Sequence, residues 1–126
     1  MVPKWGGVIL YVRSIEAASY FYRTYFGYTE HRFAGDRLVE LHSPHEGFKI
    51  TLHQAAKGLK RGQVLVKLVF EVEDVAAFVG QAQRRGLEFG PLHEGGGYLY
   101  ANAKDPDGNP ISVSERSFSP VKAERV

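Results

Sequence analysis

The chain contains no cysteine, and only one tryptophan and one methionine, in 126 residues. Without thiols there is no disulfide, no thiolate nucleophile and no cysteine-ligated metal. This fits the reducing cytoplasm, where the chain is expected to reside. Long apolar runs are missing too: none approaches the roughly 18 to 20 residues of a membrane-spanning helix. The opening MVPKWGG lacks the charged and apolar regions of a secretory signal. Nor is there a surplus of one charge, since 16 Lys and Arg face 14 Asp and Glu, a net +2 with the signs interleaved. The one dense basic cluster, Lys57, Lys60 and Arg61, reads as a solvated linker, because nucleic-acid recognition asks for a basic stripe or a known motif. Neither nucleic acid nor membrane is expected as a partner.

What is present is internal repetition. The stretch Lys104 to Ser114, KDPDGNPISVS, joins a tight turn to a short strand. Pro106 presets φ, Gly108 permits φ > 0, and Asp and Asn bond nearby backbone. From Pro110 the residues alternate, with Ile111 and Val113 on one side and Ser112 and Ser114 on the other. SPHEGFKITLHQ, from Ser43 to Gln54, is a diluted copy that sets Ile50 against Ile111, Thr51 against Ser112 and Leu52 against Val113. Upstream, VILYVRSIEAA from Val8 lines up with LVFEVEDVAAF from Leu68, and Gly27 and Gly86 close the two copies. The chain therefore reads as a duplicated unit of about 50 to 60 residues, two copies making one small domain. The expected divisions are a module over 7–54, a linker over 55–63, a module over 64–115 and a flexible tail over 116–126.

Each module reads as βαβββ. In the first, a strand over Val8 to Val12 leads to Ser14, a helix N-cap, and then to Ile15, Ala18, Tyr22, Tyr25 and Phe26 at helical spacing. Strands are expected over Tyr28 to Arg32, Arg37 to His42 and Lys49 to Gln54. In the second, a strand over Val64 to Val72 precedes Asp74 as cap and a helix with Val75, Phe78, Val79 and Ala82 inward. Strands over Leu87 to Leu92, Tyr98 to Ala103 and Pro110 to Ser114 follow.

Such a sheet has one face against its helix and one free. Alternation assigns Ile9, Tyr11, Lys49, Thr51 and His53 to the free face of the first module. It assigns Lys67, Val69, Glu71, Ser112 and Ser114 to that of the second, with the direction of Tyr98 and Tyr100 left open. Two sheets side by side would form a curved mixed-sheet trough, the kind of concave surface that takes a small ligand. Lys67 is expected either to pair with Glu71 along its own strand or to meet an anionic or carbonyl oxygen of a ligand. Lys49 on the same kind of face favours an acidic ligand over a cationic one.

The βαβββ duplication, the run VILYVRSIEAASYFYRTYFGY, the run LVFEVEDV and the turn DPDGNPISVS resemble the glyoxalase and bleomycin-resistance group, the vicinal oxygen chelate superfamily. The resemblance covers Gly7 to Glu115 and implies an α+β fold of two βαβββ modules. Its metal-using members take one His or Glu ligand from the first and last strand of each module. Those places fall here on Gly7, Thr51, Lys67 and Ser112, none of them a His or carboxylate. The resemblance therefore implies a member without the usual metal ligands, with no metal and no cofactor, that binds a small molecule and forms a homodimer. The ligand-binding candidates are Tyr11, Lys49, Thr51, His53, Lys67, Glu71, Ser112 and Ser114, for a ligand that is acidic or aromatic. The alternative is a lyase, isomerase or dioxygenase-like enzyme. It would use a displaced metal site, drawing on His53, Glu71, Glu40 or His42, or Lys67 and His53 as acid and base.

Overall fold

The computed structural model describes residues 1–2, 7–45, 47–60, 62–63 and 66–118. The chain divides into two compact units, Met1–Gln63 and Val64–Val126. The first holds β1 (Val8–Val12), α1 (Ile15–Phe26), β2 (Thr29–Arg32), β3 (Val39–His42) and β4 (Lys49–Gln54). Its sheet runs in the order β1-β4-β3-β2, with β1 parallel to β4 and the other pairs antiparallel. Ser14 Oγ accepts from the Ala17 N–H at 3.1 Å and starts α1. Gly27, at φ 71°, ends it in the left-handed conformation. One stripe of the helix, Ala18, Ser19, Phe21 and Tyr22, is buried, and the helix packs on β3 and β4 over Leu41, Ile50 and Leu52.

Ser19 is a polar group in this core, and it is satisfied. Its hydroxyl donates to Glu30 of β2 and accepts from Arg23 Nε at 3.0 Å. Glu30 also takes a hydrogen bond from Arg32 at 2.9 Å. Those bonds, Arg32 first and Ser19 second, hold the Glu30 carboxyl below the usual range. The result is a clamp between helix and edge strand that pattern reading passed over, because Ser19 is a polar residue on a stripe marked by its apolar members.

The second unit holds β5 (Leu68–Glu71), α2 (Val75–Arg84), β6 (His93–Glu94), β7 (Leu99–Lys104), β8 (Pro110–Ser114) and a 3-10 helix, Arg116–Phe118. Its sheet order, β5-β8-β7-β6, repeats that of the first. The registers repeat as well: Val8 faces Ile50 as Leu68 faces Ile111, and Ile9 faces Thr51 as Val69 faces Ser112. This is the alignment that the duplication in the sequence prescribes. The chain thus has an α+β fold of two βαβββ modules, each a mixed four-stranded sheet with one helix. No helix among the described residues is long and apolar enough to cross a membrane.

The turn before β8 is built on Asp105, which is 5 % exposed. Its carboxylate accepts from the backbone N–H of Asp107 and of Asn109, at 2.9 and 2.8 Å, and from the Asn109 amide at 2.9 Å. Gly108 adopts φ 83° to close the turn. A buried carboxylate satisfied three times over fixes where β8 begins.

Two expectations are corrected. Leu87 to Leu92 is not a strand: pairing begins only at His93, because Gly90-Pro91 interrupts the run and proline offers no N–H to a ladder. Leu87 and Phe89 plug the core instead, and the Gly90 N–H reaches the Asn102 carbonyl at 2.8 Å. The strand expected over Val64 to Val72 pairs only over Leu68–Glu71, with Val64 and Leu65 outside the described residues. At the start of the stretch expected as a tail, Arg116–Phe118 form a helical turn closed by Phe118 N–H to Glu115 O at 2.9 Å. Residues 119–126 lie outside the described residues.

Candidate ligand-binding site

In the second module, register puts Val69 and Glu71 of β5, Tyr100 and Asn102 of β7, and Ser112 and Ser114 of β8 on one face. Lys67 and Tyr98 extend that alternation by one step each. A cavity of about 480 Å³ lies there, lined by Lys67, Val69, Glu71, Tyr98, Tyr100, Ser112 and Ser114, together with Gly95 and Arg116. This is within the ordinary size range of small-molecule sites. Its floor is small and polar: Ser112 Oγ donates to the Ala101 carbonyl at 3.1 Å, and Ser114 Oγ accepts from the Arg116 N–H at 3.0 Å. Its side is aromatic. Tyr98 and Tyr100 have ring centroids 6.2 Å apart, and His93 stacks on Tyr100 at 5.1 Å. Both tyrosines therefore point to the cavity, and Gly95 makes this possible, because a β-carbon there would meet the Tyr98 ring at 2.6 Å.

The expected pairing of Lys67 with Glu71 does not occur. Four residues of extended chain separate the two by about 13 Å along the strand, too far for contact. Lys67 Nζ donates instead to Asn102 Oδ1 at 3.1 Å. Glu71 accepts from the Ser117 N–H and hydroxyl, each at 3.2 Å.

The equivalent face of the first module carries Tyr11, Lys49, Thr51 and His53. The Tyr11 and His53 rings pack at 4.9 Å, and His53 Nδ1 bonds the Gln54 carbonyl at 2.9 Å. Lys49 is tied to Glu40 at 3.6 Å. Glu40 is also bonded to His42 at 2.8 Å, and the His42 bond, ahead of the Lys49 charge, holds the Glu40 carboxyl below its usual range. His31, which the sequence offered no partner, stacks on His42 at 4.1 Å. Four of the eight expected residues, Lys67, Glu71, Ser112 and Ser114, thus line one cavity, while the other four share the first module's face.

The family model of the glyoxalase/bleomycin resistance protein/dioxygenase superfamily matches residues 6–113. The chain belongs to that superfamily. Solved structures with the same fold include a protein from the mobile metagenome of V. Pseudocholerae, at 26% identity and TM-score 0.69, covering 90% of this chain and 95% of that one. An antibiotic-binding protein from Streptomyces sp. CB03234 has 20% identity and TM-score 0.72, covering 90% and 96%. A genomically encoded fosfomycin resistance protein from Listeria monocytogenes has 14% identity and TM-score 0.71, covering 90% and 93%. No curated protein matches the sequence significantly.

Against the metal-using members of the superfamily, the four equivalent positions do not fit a divalent cation. Gly7 has no side chain and no space for one: at φ 126° its β-carbon would collide with the Lys49 carbonyl oxygen. Lys67 brings a positive charge. Thr51 and Ser112 bring neutral hydroxyls, and that of Ser112 is already engaged with backbone. Among the described residues no three His, Asp or Glu side chains are arranged to hold a metal ion.

Two residues at the site, the Lys67 partner Asn102 and the cavity residue Arg116, escaped sequence reading. Asn102 gave no signal, because an asparagine in a strand has no distinctive pattern. Arg116 had one: it continues the parity of Ser112 and Ser114, but it was assigned to the tail.

Proposed function

We propose that this superfamily member binds a small acidic, aromatic molecule in the second module's cavity, without a metal ion. The observation that carries the reading is Lys67. A cation stands where metal-using members place a ligand, and it lines a cavity of ligand size together with Tyr98 and Tyr100. An ammonium held by the neutral amide of Asn102 keeps its charge for an incoming carboxylate or phenolate. The tyrosines supply apolar area and ring faces. Structural neighbours that bind an antibiotic or confer fosfomycin resistance are compatible with ligand sequestration, and at 20% and 14% identity they carry the fold alone. A homodimer belongs to the same proposal, and sedimentation of the free chain tests it.

Acid–base chemistry by Lys67 is the weaker reading. A lysine acts as a base when burial disfavours its charge, and Lys67 is exposed. The test of binding is thermal shift with aromatic acids: a ligand at about 100 times its Kd adds about 2.7 kcal/mol to stability. A panel of aromatic acids that leaves Tm unmoved, while Lys67→Met leaves every response the same, overturns the proposal.

A further inference from the structure

The cavity holds two cations, and they stand at opposite ends. Lys67 lies four residues before Glu71, and Glu71 faces Ser114. Arg116 follows two residues after Ser114, in the 3-10 turn that forms the far wall. Because β5 and β8 run parallel, about 13 Å of extended chain separates Lys67 from the level of Glu71 and Ser114, and Arg116 lies up to two residues beyond that level, roughly 13 to 20 Å from Lys67 along the sheet. Among the described residues neither has an ion-pair partner. Lys67 is held by an amide oxygen. The one acid lining the cavity, Glu71, spends its carboxylate oxygen on the N–H and hydroxyl of Ser117. It thereby fastens the turn that carries Arg116 and acts as a positioning residue.

We infer that the ligand is elongated and carries an acidic group at each end, one for Lys67 and one for Arg116, with a planar body whose Arg116 end packs against Tyr100 and Tyr98. This rests on the cavity being the ligand site. A guanidinium receives a carboxylate through two parallel hydrogen bonds, so the Arg116 end also selects for a planar acid group. Glu71 lies at that end and weakens the attraction there, so the second acid adds less than the first.

The test is calorimetric titration at low salt with matched pairs, terephthalate against benzoate and biphenyl dicarboxylate against biphenyl monocarboxylate, each with its neutral amide as control. For the pair whose length suits the cavity, the diacid binds about fivefold tighter than the monoacid. Arg116→Gln, on an exposed turn, abolishes that preference because it weakens diacid binding more than monoacid binding; Lys67→Met weakens both. Glu71→Gln, which keeps an acceptor for Ser117 and removes the opposing charge, preserves or raises the preference, whereas Glu71→Ala, which releases the turn, gives a smaller preference than Glu71→Gln. Equal binding of monoacids and diacids by the wild type, or a diacid preference that survives Arg116→Gln, overturns the two-ended ligand and leaves the site standing. Failure of every compound to bind overturns both.

Discussion

The two modules share strand order and register, yet their free faces differ in what they leave open. Where the first has Tyr11 and His53 stacked over the sheet, the second has Glu71 and Ser114 at the matching places. Where the first has Gly7, sealed against the Lys49 backbone, the second has Lys67. Where the first has Glu40, bound to His42 and Lys49, the second has Asn102, bound to Lys67. Bulk and mutual charge pairing mark one face; small hydroxyls and, among the described residues, cations without an ion-pair partner line a cavity on the other. Duplication fixes the frame, and a few side chains make the two free faces chemically different.

The turns preceding β4 and β8 allow the sharpest attack on this comparison. Asp105→Ala removes three hydrogen bonds to a buried carboxylate and is expected to cost about 3 kcal/mol in denaturant unfolding. In the matching turn the Ser43 hydroxyl accepts the His45 N–H at 3.2 Å and is hydrogen-bonded to Tyr28, but it carries no buried charge. Ser43→Ala is therefore expected to cost about 1 kcal/mol, clearly less than Asp105→Ala. Equal costs would mean that the two turns do the same work.

Next in size is the first position of each module. Gly7→Ala forces a β-carbon onto a backbone carbonyl in a left-handed conformation, an expected loss of about 2 kcal/mol in the same assay. Lys67→Ala, on an exposed side chain, should stay within about 0.5 kcal/mol. A third pair exchanges bulk. Ser114→His gives the second module the ring that the first has at His53, and should weaken ligand binding by about tenfold or more through occlusion, with the fold intact by circular dichroism. Binding that survives Ser114→His would place the ligand elsewhere.

The smallest effect is acid sensitivity of the first module. The Glu30 carboxyl is held below its ordinary value near 4.5. Its contribution is complete above that value and is lost as pH falls through the depressed one. Glu30→Gln should therefore lower stability modestly at neutral pH, a difference that vanishes once pH falls below the depressed value, so that the acidic part of the profile flattens, as unfolding at stepped pH will report.

The fold was legible because repetition states each element twice. Ser14 and Asp74 cap both helices, and the alternation in VILYV and PISVS places the free face without further information. The site was legible by half. Lys67, Ser112 and Ser114 follow from parity, but their partners do not: Asn102 and Ser117 meet Lys67 and Glu71 across strands and turns that no local pattern connects. Tyr98 was undecidable because the triple glycine before it hides the register, and only the missing β-carbon at Gly95 lets the ring fold inward. The stretch Leu87 to Leu92 misled because its alternating apolar residues suit a strand, while Gly90-Pro91 forbids the ladder.

The central claim is that Lys67 replaces a metal as the anchor. Its most direct test is titration of an aromatic acid into the purified chain, with and without a strong chelator, alongside Lys67→Met and metal analysis of the same samples. The account predicts the same Kd in both conditions, no stoichiometric metal, and about fivefold weaker binding for the variant. One metal ion per chain, with binding lost on chelation and unchanged by Lys67→Met, would contradict it.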